Sequence, residues 1–278
     1  MVGQHPQAQK DGSATEVAGQ AGAGSERADL PLPVADIVEE TRRILAEAAE
    51  RSLPVRVLGG LAIRLHSSSE PHPRLTREFK DIDLVTVRAK AKDVGALITS
   101  IGYTPDTAFN TLNSGRRALF YDLAHERQLD LFVGSFEMCH KIPITSRLDA
   151  DSPTVPLAEL LLTKLQIIQL NEKDLRDIAA LVIDHEVGDH DDDAINAAYI
   201  ADLCAHDWGL WRTCRQNIEL TRAGVERFEL EVAELEIVEQ RLQALWRWID
   251  AEPKSRRWKL RDRVGDRVRW YEEPEEVG

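Results

Sequence analysis

From Val34 onward, Val34, Ile37, Val38, Thr41, Ile44, Leu45 and Ala48 recur at i, i+3, i+4 spacing, which predicts an amphipathic helix over 34–51. The short β-rich run PVRVL (54–58) then ends in Gly59-Gly60, and LAIRLHS after it reads as a short helix. A polar loop with two prolines leads to DIDLVTV (81–87), whose alternation predicts a strand. A helix over 91–101 stops at Gly102, a residue suited to the left-handed helix end. Residues 117–122 and 128–133 flank a polar turn and predict an antiparallel hairpin. Beyond Pro153 the pattern turns helical: an apolar helix over 156–170, another over 172–185, an acidic loop over 186–193, and three more helical stretches reaching Trp248.

Composition sharpens the outline. Residues 1–30 hold five Gly, six Ala and no Phe, Tyr or Trp, too little apolar surface to offset the entropy of ordering them. The chain has 278 residues with 35 basic and 48 acidic side chains, a formal net charge of −13; this opposes whole-surface attraction to nucleic acid or an anionic membrane. Three cysteines without a C-x-x-C pair exclude a disulfide scaffold and a zinc ribbon, and point to a reducing compartment. No apolar run is long enough to span a bilayer, and Lys10 is followed by no hydrophobic stretch of the secretory kind.

The candidate chemistry begins at Asp81 and Asp83. Side chains on a strand alternate, so the two carboxylates share one face while Ile82 and Leu84 point to the other. Like charges so close repel unless a cation lies between them, and a hard cation such as Mg²⁺ suits carboxylate oxygens. A D-x-D pair can also be a plain solvated face. Asp130, alone inside LDLFV, is harder to explain by solvation, since an unpaired charge in an apolar strand is costly. Gly59-Gly60 at a strand-to-helix turn allows close approach of a ligand to the backbone, and the following helix offers free N–H groups to phosphate.

The order LGGLA (58–62), KDIDLV (80–85), QLDLFV (128–133) resembles the nucleotidyltransferase superfamily typified by DNA polymerase β. LLLTKLQ (160–166) and KDLRDI (173–178) extend the resemblance toward the branch of AbiEii-type toxins of toxin–antitoxin pairs. The resemblance implies an α/β (α+β) fold. A mixed-sheet nucleotidyltransferase domain over 34–150 precedes a helical domain over 151–250, with a disordered tail over 1–33 and a basic and acidic C-terminal tail over 251–278. It implies Asp81, Asp83 and Asp130 as catalytic and metal-binding residues, and Mg²⁺ or Mn²⁺ as cofactor. Gly59, Gly60, Lys164, Lys173, Asp174 and Asp177 are the nucleotide-binding residues it implies. The implied reaction moves a nucleoside monophosphate from a nucleoside triphosphate to a hydroxyl acceptor and releases pyrophosphate, in the cytoplasm. A tRNA is the first acceptor and a cognate antitoxin an implied protein partner. The alternatives are a small acceptor of the aminoglycoside type or an inactive nucleotide-binding regulator. Leu61 departs from the pattern, where many members carry Ser or Thr.

Several residues keep two readings. Lys164 lies on the stripe of Leu157, Leu160, Leu161, Leu165 and Ile168, and either snorkels or emerges into a cleft to meet phosphate. Asp174 and Asp177 share a helix face and either pair with Lys173 or Arg176 or serve the site. His66 and His72 read as exposed loop residues, Cys139-His140 as neighbours that cannot face each other, and Trp208 and Trp211 as core. Residues 254–270 hold eight Lys or Arg against two Asp, with Trp258 and Trp270 among them. That segment either contacts RNA or pairs with the chain's own acidic surface, and the second is favoured.

Overall fold

The structure, a computed structural model, describes residues 31–67 and 72–273. Helix α1 (Ile37–Glu50) starts at Asp36, whose carboxylate accepts from the N–H groups of Val38 and Glu39. Then come β1 (Val55–Leu58), α2 (Gly59–His66), β2 (Asp81–Thr86), α3 (Ala91–Ser100), β3 (Thr104–Pro105), α4 (Thr107–Leu112), β4 (Arg117–Asp122) and β5 (Arg127–Val133). The five strands form one mixed sheet in the order β1-β2-β5-β4-β3, in which β2 and β5 are parallel and every other pair antiparallel. The expected hairpin is β4–β5. A small hairpin, β6 (Phe136–Glu137) and β7 (Lys141–Ile142), leads out of the sheet.

The helical part contains α5 (Leu157–Leu165), α6 (Glu172–Asp184), α7 (Ala197–His206), α8 (Trp208–Gly224), α9 (Val232–Ala251) and α10 (Arg256–Asp262). It is not separated from the sheet. The incoming chain bonds to the free edge of β1 at Val57, whose N–H donates to Pro153 O at 3.1 Å and whose C=O accepts from Val155 N–H at 3.0 Å. One continuous apolar core then runs from Ile82, Leu84 and Leu129 to Leu161, Ile178 and Leu242. The fold class is thus a mixed-sheet α/β part followed by helices, with a shared core.

Four details differ from the sequence reading. Helix α5 stops at Leu165, not 170, because the Asn217 amide of α8 donates to Leu165 O (2.9 Å) and Ile167 O (2.6 Å), holding the chain in its turn. The acidic stretch over 186–193 is not all loop, since its first residues form β8 (Glu186–Gly188), paired with β9 (Ala194–Asn196). Of the tail expected over 1–33, residues 1–30 lie outside the described residues, whereas Pro33 is buried and Pro31 packs against Gly102. Residues 254–273, expected as a tail, fold back as an arm: Trp258 is buried 5.0 Å from the Trp211 ring, and Trp208 Nε1 donates to Asp262 at 2.8 Å. Arg212 pairs with Asp266, Trp270 Nε1 donates to Thr213 at 3.1 Å, and Glu272 N–H donates to Cys139 O at 3.0 Å. Among the described residues, no helix is long and apolar enough to cross a membrane.

Candidate active site

The β2–β5 pairing sets Asp83 directly opposite Asp130, and Asp81 opposite Gln128. In-register residues of parallel strands project to the same face, so the three aspartates share one face while Ile82, Leu84, Leu129 and Leu131 are fully buried. Exposure falls along the row, from exposed Asp81 through half-buried Asp83 to buried Asp130. Burial, and next the Asp130 charge, push the Asp83 carboxyl up to about 7. The same two causes raise Asp81, with Lys173, Lys80 and Arg77 opposing them. Asp130 is held from two sides: Arg117 Nε donates to Oδ1 at 2.6 Å and Gln128 Nε2 donates to Oδ2 at 2.7 Å.

The glycine turn meets this row. Gly59 opens α2 at φ +70, and a Cβ there would stand 2.2 Å from Asp83 Oδ2, so only glycine allows the carboxylate to close on the helix start. A Cβ on Gly60 would stand 2.0 Å from Arg77 Nη2. Among the described residues no side chain caps the N-terminus of α2, which leaves its first N–H groups available beside Asp83.

A compact ionic cluster adjoins the turn. Lys164 Nζ lies 2.9 Å from Asp177 and 3.2 Å from Asp174, with only 12% of its side chain exposed. Arg77 grips Asp177 through Nε at 2.9 Å and Nη2 at 2.8 Å and lies over the Phe79 ring. Burial pushes the Asp177 carboxyl up, but Arg77 and Lys164 more than offset it and hold it below the usual carboxylate range. Asp174 also closes the α6 capping box with Asn171. The partners of Asp174 and Asp177 are therefore Lys164 and Arg77, not Lys173 or Arg176; Arg176 pairs with Glu172, and exposed Lys173 stays near Asp81.

The structure thus gathers Gly59, Gly60, Asp81, Asp83, Asp130, Lys164, Asp174 and Asp177, with Lys173 at the rim. Arg77 and Arg117 were missed. Neither has a spacing signal, although each stands in a segment that leads into one of the acidic strands. His66 and His72 are half-buried rather than exposed: His66 bonds to Thr154 and lies 3.3 Å from Asp151, and His72 lies 2.7 Å from Glu234. Cys139 and His140 are buried, and His140 Nε2 lies 2.8 Å from Thr213.

Among the described residues, no three His, Cys, Asp or Glu side chains form a ready-made metal site, since Asp130 is turned to Arg117 and Gln128. The Asp81–Asp83 pair still fits a metal by its chemistry: it is all oxygen and anionic, the donor set of Mg²⁺ or Mn²⁺, and among the described residues no basic side chain bonds to it.

No family model and no curated protein matches the chain. Among solved structures it is similar to ANT(2'')-Ia in complex with adenylyl-2''-tobramycin, with 18% identity over 52% of this chain and 86% of that one, at a TM-score of 0.36. The solution structure of the antibiotic-resistance factor ANT(2'')-Ia gives 16% identity over 60% and 93%, at 0.39. An antigenic nucleotidyltransferase-like protein from Paracoccidioides brasiliensis gives 13% over 81% and 97%, at 0.38.

Two outcomes follow from the site's charges. The folded protein keeps the Asp83 proton up to about pH 7, whereas the unfolded chain releases it near about pH 4, so Asp83 makes stability fall as pH rises through that window. Asp83→Asn should flatten this fall and raise the urea midpoint at pH 8 while changing little at pH 4; an equal gain at both pH values would contradict the assignment. Lys164→Met removes one partner from a buried cluster and should cost about 3–5 kcal/mol in urea unfolding, partly recovered by adding Asp174→Asn. A midpoint unchanged by Lys164→Met would show that the cluster contributes nothing.

Proposed function

We propose that the chain is a nucleotidyltransferase, dependent on Mg²⁺ or Mn²⁺, that transfers a nucleoside monophosphate from a nucleoside triphosphate to a hydroxyl acceptor. The observation that carries this reading is the Asp83 carboxylate, set opposite Asp130 and closed onto Gly59 at the uncapped start of α2. It puts carboxylates and phosphate-binding N–H groups within one side chain of each other.

Asp81 and Asp83 would hold the metal, which when bound neutralises triphosphate charge and orients the α-phosphate. The first N–H groups of α2 bind phosphate oxygens, as uncapped helix starts do. Lys173 adds positive charge at the rim, and Arg77 and Lys164, tied to Asp177, keep theirs fixed beside the glycines. Asp130 accepts two hydrogen bonds and retains lone pairs for the proton of the attacking hydroxyl. As that oxygen bonds to the α-phosphorus, the bond to the leaving pyrophosphate breaks.

RNA, with tRNA the first candidate, is the acceptor we favour. A trough of about 710 Å³ between the C-terminal arm and the β6–β7 hairpin is lined by Arg257, Arg261, Arg269, Trp270 and Tyr271. Through Glu137 and Glu272 it adjoins a smaller cavity lined by Arg116 and Arg117, and Arg117 touches Asp130. Arginine beside aromatic rings suits the backbone and bases of a single strand.

The experiment supplies each nucleoside triphosphate, labelled at the α-phosphorus, with Mg²⁺ and either total tRNA, the protein itself or a panel of aminoglycosides. Label should appear on RNA, fall steeply with salt, vanish in Asp83→Ala and drop at least tenfold in an Arg256→Glu, Arg257→Glu, Lys259→Glu variant. Label on an aminoglycoside would replace the acceptor. Nucleotide binding with no label anywhere would favour the regulator.

A further inference from the structure

Arg117 is the side chain that changes how the three aspartates can be used. It stands on β4 with its side chain 18% exposed, and its guanidinium lies over the rings of Phe109 and Phe132, at 5.6 and 5.2 Å. Its Nε donates to Asp130 Oδ1 at 2.6 Å, and the Asp130 side chain is only 4% exposed. The antiparallel β4–β5 ladder, with Leu119 opposite Asp130, fixes where both side chains start. The second oxygen of Asp130 belongs to Gln128, the residue opposite Asp81. On β5, therefore, both oxygens of the carboxylate facing Asp83 are already engaged, each with a lone pair to spare, and an amide faces Asp81.

We propose that Arg117 is the permanent counter-cation of Asp130, so that the site takes one divalent metal, held by Asp81 and Asp83, rather than two. The inference rests on the nucleotidyltransferase reading and refines it. A second dication on Asp130 would have to displace a half-buried guanidinium that lies over two rings, and would leave that charge unpaired beside its own. Asp81 and Asp83 have no such partner: the nearest cations act on them through space, and among the described residues no side chain bonds to either carboxylate. Arg117 also fills the orienting part of a second metal's work. Among the described residues only its Nε is engaged, and its other N–H groups belong to the side chain that lines the cavity with Asn113, Arg116 and Ser135. They can donate to oxygens of an acceptor entering there while Nε keeps Asp130 aimed. Arg117 thus positions Asp130 through Nε and can bind the acceptor through its other N–H groups.

The test counts metal rather than turnover. The full chain is titrated with Mn²⁺ in the presence of a non-hydrolysable nucleoside triphosphate analogue, and bound Mn²⁺ is counted by electron paramagnetic resonance. One Mn²⁺ per chain, without the spin coupling of a neighbouring pair, is expected for the wild type, and a second, coupled Mn²⁺ for Arg117→Met. Two coupled ions in the wild type, or still one in a folded Arg117→Met, would overturn the role of Arg117. The wild-type count decides even if the variant does not fold. If Asp83→Ala binds the Mn²⁺–analogue complex as tightly as the wild type, the nucleotidyltransferase reading itself fails, whatever the count.

Discussion

Setting Asp83 opposite Asp130 on parallel strands puts two carboxylates side by side in a partly dry place, and the surrounding chain must answer that with positive charge. Charges of one sign this close destabilise the fold unless protons, metals or basic side chains compensate. The chain uses each in a different place. Arg117 neutralises Asp130, a proton at Asp83 is favoured up to about pH 7, and Asp81 stays at the solvent edge near Lys173 and Lys80.

The same demand explains why the helical part is joined to the sheet rather than tethered to it. Lys164 on α5 lowers the burden on Asp83, yet it is itself buried and needs Asp174 and Asp177 of α6. Arg77 then reaches across Gly60 to the same Asp177. Sheet, glycine turn, approach loop and two helices are thereby linked through one alternating series of charges. The two glycines serve this packing as much as any ligand, since a methyl group at either position would collide with Asp83 or Arg77.

Much of this was legible in the sequence for local reasons. Strand alternation placed Asp81 and Asp83 on one face, an acid inside LDLFV marked Asp130, and the polar turn at 123–127 announced the β4–β5 hairpin. Helix spacing placed Asp174 and Asp177 together but pointed to the wrong partners, because local pairing rules see only i+3 and i+4 neighbours. Arg77 and Arg117 find their acids 100 and 13 residues away, distances that only the tertiary path defines. The end of α5 was missed for the same reason, since Asn217, 52 residues beyond Leu165, sets it. The arm over 254–273 reads by composition as a basic segment paired with the chain's own acidic surface, yet it is its acids Asp262 and Asp266 and its tryptophans that pack on α8, while six basic residues, Arg256, Arg257, Lys259, Arg263, Arg267 and Arg269, remain exposed.

The most direct measurement is a crystal structure of the full chain with Mn²⁺ and a non-hydrolysable nucleoside triphosphate analogue, with the metal located by its anomalous scattering. The account predicts the anomalous peak between Asp81 and Asp83, with the triphosphate against the N–H groups at Gly59 and Gly60. Nucleotide and metal bound together elsewhere, with Asp81 and Asp83 touching neither, would contradict it.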